Sequence, residues 1–109
     1  MIFALFPNSS KLPSIAFAKQ VMTFLATRGI EVIIDDQFAK EISAKSVSEV
    51  PIDSIDIALS LGGDGTMLRV LHHHPEMKAP ILGINLGHLG FLADIPVSEA
   101  YSAIEDIIE

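Results

Sequence analysis

Four short apolar runs punctuate this chain, at residues 2–6, 31–34, 55–61 and 80–84, and stretches with helical periodicity lie between them. The runs are rich in apolar residues on both faces of the strands they would form, so those strands are expected to be covered on both sides. Buried strands alternating with helices predict a doubly wound, mostly parallel α/β sheet, Rossmann-like, with helices on both faces and right-handed crossovers. A length of 109 residues predicts one such domain over 1–109.

Residues 13–28 read as a helix. Ile15, Ala18, Met22 and Leu25 keep the 3.6-residue period, Phe17, Val21 and Phe24 widen the stripe, and Lys19, Thr23 and Thr27 line the polar side. Pro13 suits a first helical turn and Gly29 the position just past the end. Residues 36–54 read as a short helix and a loop, 66–74 as a helix ended by Pro75, and 91–95 as a short strand or turn. A last helix spans 98–108, with Ala100, Ile104, Ile107 and Ile108 facing inward and Ser98 as its cap.

In sheets of this kind ligands bind beyond the carboxyl ends of the strands, near a switch in strand order. That rule selects the loops at 7–12, 62–66 and 85–90. The second reads Leu61-Gly62-Gly63-Asp64-Gly65-Thr66. Its glycines open backbone torsions closed to other residues and let a ligand approach the main-chain amides. With a helix expected from Thr66, free N–H groups and the positive end of the helix dipole face the loop, which makes an anion site suited to phosphate. The plainer alternative is a tight strand-to-helix turn. Asp64 would repel phosphate. It makes sense holding a metal or taking a proton from an attacking hydroxyl, and equally as a cap of the helix. Arg69, on the side of Thr66, reaches towards phosphate or stays in solvent.

Composition narrows the partners. Fourteen acids against seven bases leave a net charge of −7, with no basic face for nucleic acid or for an anionic membrane. The chain has no cysteine, which excludes disulfides, thiol catalysis and Cys-ligated zinc. No uncharged stretch reaches the roughly 20 apolar residues of a membrane span, and a cytoplasmic protein is the expectation. His72-His73-His74 point about 100° apart on a helix and cannot converge on one ion. Asp35 and Asp36 read as a solvated strand end. The glycines at 83, 87 and 90 match neither the dinucleotide fingerprint nor a P-loop, and Phe91 reads as a stacking face or as core. Hydrophobic residues make up 50% of the chain and mean hydropathy is +0.46, a surplus for a lone small domain.

The glycine-rich element at 62–66, followed about twenty residues on by Asn85-Leu86-Gly87-His88-Leu89-Gly90-Phe91-Leu92, resembles the NAD kinases. Thr66-Met67-Leu68-Arg69 and Ile81-Leu82-Gly83-Ile84 also fit that family. Diacylglycerol and sphingosine kinases and the phosphofructokinases carry close versions of the first motif alone, so a diacylglycerol-type lipid kinase and a non-catalytic nucleotide-binding module are the alternatives. The resemblance implies transfer of the γ-phosphoryl of ATP, or of polyphosphate, to the 2′-hydroxyl of the NAD adenosine ribose. It implies a divalent metal, usually Mg2+, and a homo-oligomer, dimer or tetramer, in the full-length protein. Asp64 matches the family's proton acceptor; Gly62, Gly63, Asp64, Gly65, Thr66, Arg69, Asn85, Gly87, Phe91 and Leu92 match its binding positions. Members continue into a largely β domain, so the expectation is the first domain of a longer enzyme. The apolar surplus is then surface for that domain or a neighbouring subunit, and predicts self-association.

Overall fold

The apolar runs pair edge to edge in a computed structural model that describes residues 1–8, 12–86 and 94–108. Strands β1 (Ile2–Pro7), β2 (Glu31–Ile34), β3 (Ile57–Gly62), β4 (Ile81–Asn85) and β5 (Asp94–Pro96) form one sheet in the order β2-β1-β3-β4-β5. Every pairing is parallel. Helices α1 (Leu12–Ala26), α2 (Asp36–Ile42), α3 (Asp64–His73) and α4 (Ala100–Ile108) complete the expected α/β fold.

Side chains alternate across each strand, and the alternation divides the core in two. Phe3, Leu5, Ile57, Leu59, Leu61 and Ile84 pack with Phe17, Val21 and Leu25 of α1, Phe38 and Ile42 of α2, and Ile104 of α4. Ala4, Phe6, Ile33 and Ala58 pack on the opposite face with Val70 of α3 and with Val47 and Ile55. Tyr101 packs its ring against Phe17 and Phe24, centroids 5.9 and 4.8 Å away, and Arg28 lies over the Phe24 ring and pairs with Glu105. These contacts hold α4 onto α1.

Local chemistry sets the ends of the elements. Helix α1 ends in a Schellman-type motif: the Ile30 amide donates to the Leu25 carbonyl and the Gly29 amide to the Ala26 carbonyl, both at 3.1 Å. Gly29 sits at φ 72°, as its predicted place past the helix requires. The buried stripe of α1 runs through Ser14, Ala18, Val21 and Leu25, so Ile15 and Met22 lie at its margin rather than its centre.

Three expectations change. Asp35 and Asp36 are not merely a solvated strand end. Asp35 caps α2 by accepting from the Gln37 amide at 3.4 Å, and the Asp36 carboxylate accepts from the Ser48 amide at 2.9 Å. The segment after α2 folds into 3-10 turns at Val47–Glu49 and Ile52–Ser54. A third such turn, Val97–Glu99, precedes α4 and contains Ser98, so Ser98 does not cap that helix.

Candidate functional site

The order β2-β1-β3 places the switch in strand order between β1 and β3, and their carboxyl ends lie side by side with Pro7 opposite Leu61. Gly62 follows Leu61 and pairs across to Asn85 of β4. The Leu86 amide then donates to the Gly62 carbonyl at 3.0 Å. The beginnings of all three predicted loops therefore meet at Gly62. Gly87, Phe91 and Leu92 lie outside the described residues.

Helix α3 begins at Asp64, two residues earlier than the sequence suggests. Gly63 is its extended N-cap, with φ −160° and ψ −162°, and the Met67 amide closes the first helical bond on the Gly63 carbonyl at 3.2 Å. Asp64 thus opens the helix and Gly65 lies within it. Of the two purposes expected of the glycines, unusual torsions are not the one in use, since among the described glycines only Gly29 has a positive φ. At Gly62 a Cβ would stand 2.5 Å from Thr66 Oγ1 and 2.9 Å from Asn8 Cβ, too close for either. At Gly63 and Gly65 a Cβ would meet nothing within 4 Å among the described residues. Gly62 lets the three loops close up, while Gly63 and Gly65 leave bare backbone with no described residue against it.

The first-turn amides of any helix lack partners within it, and the dipole favours an anion there. Thr66 is buried beneath this turn. Asn85 is buried in the neighbouring strand and makes its own contacts. Arg69 does not extend freely into solvent: its Nη2 donates to the Pro7 carbonyl at 3.0 Å, which holds the guanidinium at the exit of β1.

Sequence reasoning missed the other half of the crevice. Ser14, fully buried in the first turn of α1, accepts from the Asn8 amide at 2.7 Å and donates to the Leu61 carbonyl at 2.8 Å. A polar residue on an otherwise apolar helical stripe was the available signal.

The histidine run sits at the far end of α3. The His74 ring packs against Phe6, centroids 5.4 Å apart, and His72 lies beside His73. Among the described residues no three His, Cys, Asp or Glu side chains are grouped to hold a metal ion, and no helix is long and apolar enough to cross a membrane. A cavity of about 520 Å3 lies along the side of α3, lined by Met67, Leu71, His74, Pro75, Met77, Ala79 and Ile81, and none of these residues is at the carboxyl end of a strand.

The family model described as the ATP-NAD kinase N-terminal domain matches residues 3–109. The NAD kinase of Protochlamydia amoebophila is 48% identical over 108 residues, which cover 99% of this chain and 39% of that protein. The NAD kinase of Thermococcus kodakarensis is 36% identical over 112 residues, covering 100% of this chain and 40% of that protein. The crystal structure of yeast NADH kinase complexed with NADH shares the fold, with a TM-score of 0.68 at 23% identity over 99% of this chain and 38% of that one. The chain thus spans about two fifths of the length of these relatives. With the family match running over nearly its whole length, the chain belongs to the NAD kinase family.

Proposed function

We propose that the protein carrying this domain phosphorylates the 2′-hydroxyl of the NAD adenosine ribose to give NADP, with ATP or polyphosphate as the donor. The observation that carries the reading is the pair of open glycines, Gly63 and Gly65, at the amino end of α3 beside the strand-order switch. Bare backbone there admits a phosphate to within hydrogen-bonding distance of the first-turn amides. Thr66, Arg69 and Asn85 border the same crevice, and Gly62 closes its floor. Gly87, Phe91 and Leu92 complete the proposed binding set.

In the proposed reaction the 2′-hydroxyl oxygen attacks the terminal phosphorus. A new O–P bond forms, the bridging P–O bond to the leaving phosphate breaks, and the hydroxyl proton passes to the Asp64 carboxylate. Positioning and charge do most of the work in such transfers, which is what a helix terminus and an arginine supply. No described group of side chains forms a metal cage. Mg2+ is proposed as an ion that would come with the nucleotide phosphates, its usual mode.

A mostly β second domain is proposed to supply the rest of the dinucleotide pocket, in keeping with relatives in which the matched region is only 39–40% of the protein. The net charge of −7 argues against a nucleic-acid partner. A cytoplasmic homo-oligomer, dimer or tetramer, completes the reading, with exposed Leu68 and Leu71 as apolar surface available for association.

The test is Asp64→Asn in the whole protein, which keeps the shape of the side chain and removes its basicity. NADP formation should fall by about 10²–10⁴-fold with the fold intact by circular dichroism. Near-parental turnover would remove the proton-acceptor role.

A further inference from the structure

We infer that Ser14 is a positioning residue, which with Arg69 locks the Pro7–Asn8 peptide unit and thereby sets the width of the crevice between β1 and the glycine-rich turn. The role rests on the phosphoryl transfer proposed above. A serine hydroxyl at or within the start of a helix ordinarily bonds nearby backbone of its own helix. The Ser14 hydroxyl instead bridges two other segments. It accepts from the Asn8 amide at 2.7 Å and donates its single proton to the Leu61 carbonyl at 2.8 Å, one residue before Gly62.

The carbonyl of Pro7 and the amide of Asn8 are the two polar ends of one peptide plane. The amide end is held by Ser14 of α1, and the carbonyl end by Arg69 of α3 at 3.0 Å. Helices α1 and α3 lie on opposite faces of the sheet, so the plane is gripped from both sides and cannot rotate without losing a bond. This matters because of what lies alongside. Asn8 Cβ is 2.9 Å from the point that a Cβ on Gly62 would occupy, so the two loops lie closer than any residue but glycine would allow at position 62. A tilt of the Pro7–Asn8 plane moves Asn8 against Gly62 and Thr66 and displaces the turn that opens α3. Reactions that depend on positioning are sensitive to shifts of this size: a misplacement of about 1 Å can cost on the order of 10²-fold in rate.

Ser14→Ala in the full-length protein tests the role, with steady-state NADP formation normalised to folded protein. The kcat should fall roughly tenfold or more while KM for NAD changes less than threefold. Ser14→Thr, which restores a hydroxyl, should recover most of that loss. Ser14→Cys keeps the volume with a weaker hydrogen-bonding group and should fall between Ser and Ala. Hydrogen exchange of the Asn8 amide in the parent protein provides a reading independent of any substitution, and it should be protected. Parental kcat in the Ala or Cys variant, even with a lowered Tm, would show a merely structural hydroxyl and overturn the inference. Asn8 exchanging like an open-loop amide would do the same. If the parent itself forms no NADP, the proposed reaction fails and the positioning role falls with it; an active parent with an unaffected Ala variant removes the positioning role alone.

Discussion

Among the described residues three helices, α1, α2 and α4, cover the sheet face that carries Phe3, Leu5, Leu59 and Leu61, whereas the face carrying Ala4, Phe6 and Ala58 has one full helix, α3. The strands differ to match. On the first face β3 presents Ile57, Leu59 and Leu61, beside Leu82 and Ile84 of β4. On the second it presents Ala58, Ser60 and Gly62, beside Ile81, Gly83 and Asn85. Towards the carboxyl ends the second face thus becomes small and polar under the amino end of α3. One face is built to bury area. The other lets a helix terminus and three loops approach closely, which a row of leucines would prevent. Most of the buried area and most of the site are in this way assigned to opposite sides of the same strands, with Ser14 of α1 reaching the site from the first face.

The largest effect should come from breaking the first face. Leu25 of α1 is fully buried in its cluster. Leu25→Ala removes the side chain and leaves a cavity, and should cost about 2–5 kcal/mol. The measurement is the urea midpoint at unchanged slope. A loss below about 1 kcal/mol would mean that the three-helix face does not dominate stability.

The second effect separates two glycines of one turn. Gly62→Ala forces a methyl group against Thr66 and Asn8 and should destabilise by about 1–3 kcal/mol. Gly65→Ala places a methyl group in open space on a helical residue, and should be neutral or stabilise by up to about 1 kcal/mol. Nucleotide affinity should nevertheless fall in both, because the open backbone at Gly65 is where the proposed phosphate sits. Calorimetric titration of the whole protein beside thermal unfolding separates packing from access. Undiminished affinity in Gly65→Ala would place the phosphate elsewhere.

The same division explains what could be read in the chain. Runs rich in apolar residues were sufficient for parallel strands and for helices on both sides, because burial on two faces leaves its mark on most residues of a strand. The strand order was not legible, since the partner of each strand depends on crossovers that no local pattern records. At the site, Leu61-Gly62-Gly63-Asp64-Gly65-Thr66 was recognisable, and so was the access its glycines offer to the main-chain amides, but which glycine does which work was not. Their torsions turn out ordinary, and close approach at Gly62 against openness at Gly63 and Gly65 appears only once Asn8 is brought alongside. Ser14 and Asn8 are far from Leu61 in sequence, so their bridge has no local signature. The early start of α3 was hidden because three glycines in four positions read as loop. Asp35 and Asp36 read as solvent-facing because the amides they accept from belong to a helix of only seven residues and to a 3-10 turn, neither with a marked period.

The smallest effect on stability should come from the outer side of α3. Leu68 and Leu71 are 56% and 50% exposed, and Leu71 borders the cavity of about 520 Å3 with Met67, Met77 and Ile81. Neither side chain belongs to the core clusters, so each has little buried area to lose. Leu68→Ser and Leu71→Ser should each change unfolding free energy by less than about 0.5 kcal/mol, against several for Leu25→Ala. Their effect should appear instead in association: removing two apolar side chains from one exposed surface should lower the apparent mass measured by light scattering at high protein concentration. A destabilisation approaching that of Leu25→Ala would show that the α3 side is as much a part of the core as the three-helix side. An unchanged apparent mass would show that its exposed leucines take no part in self-association.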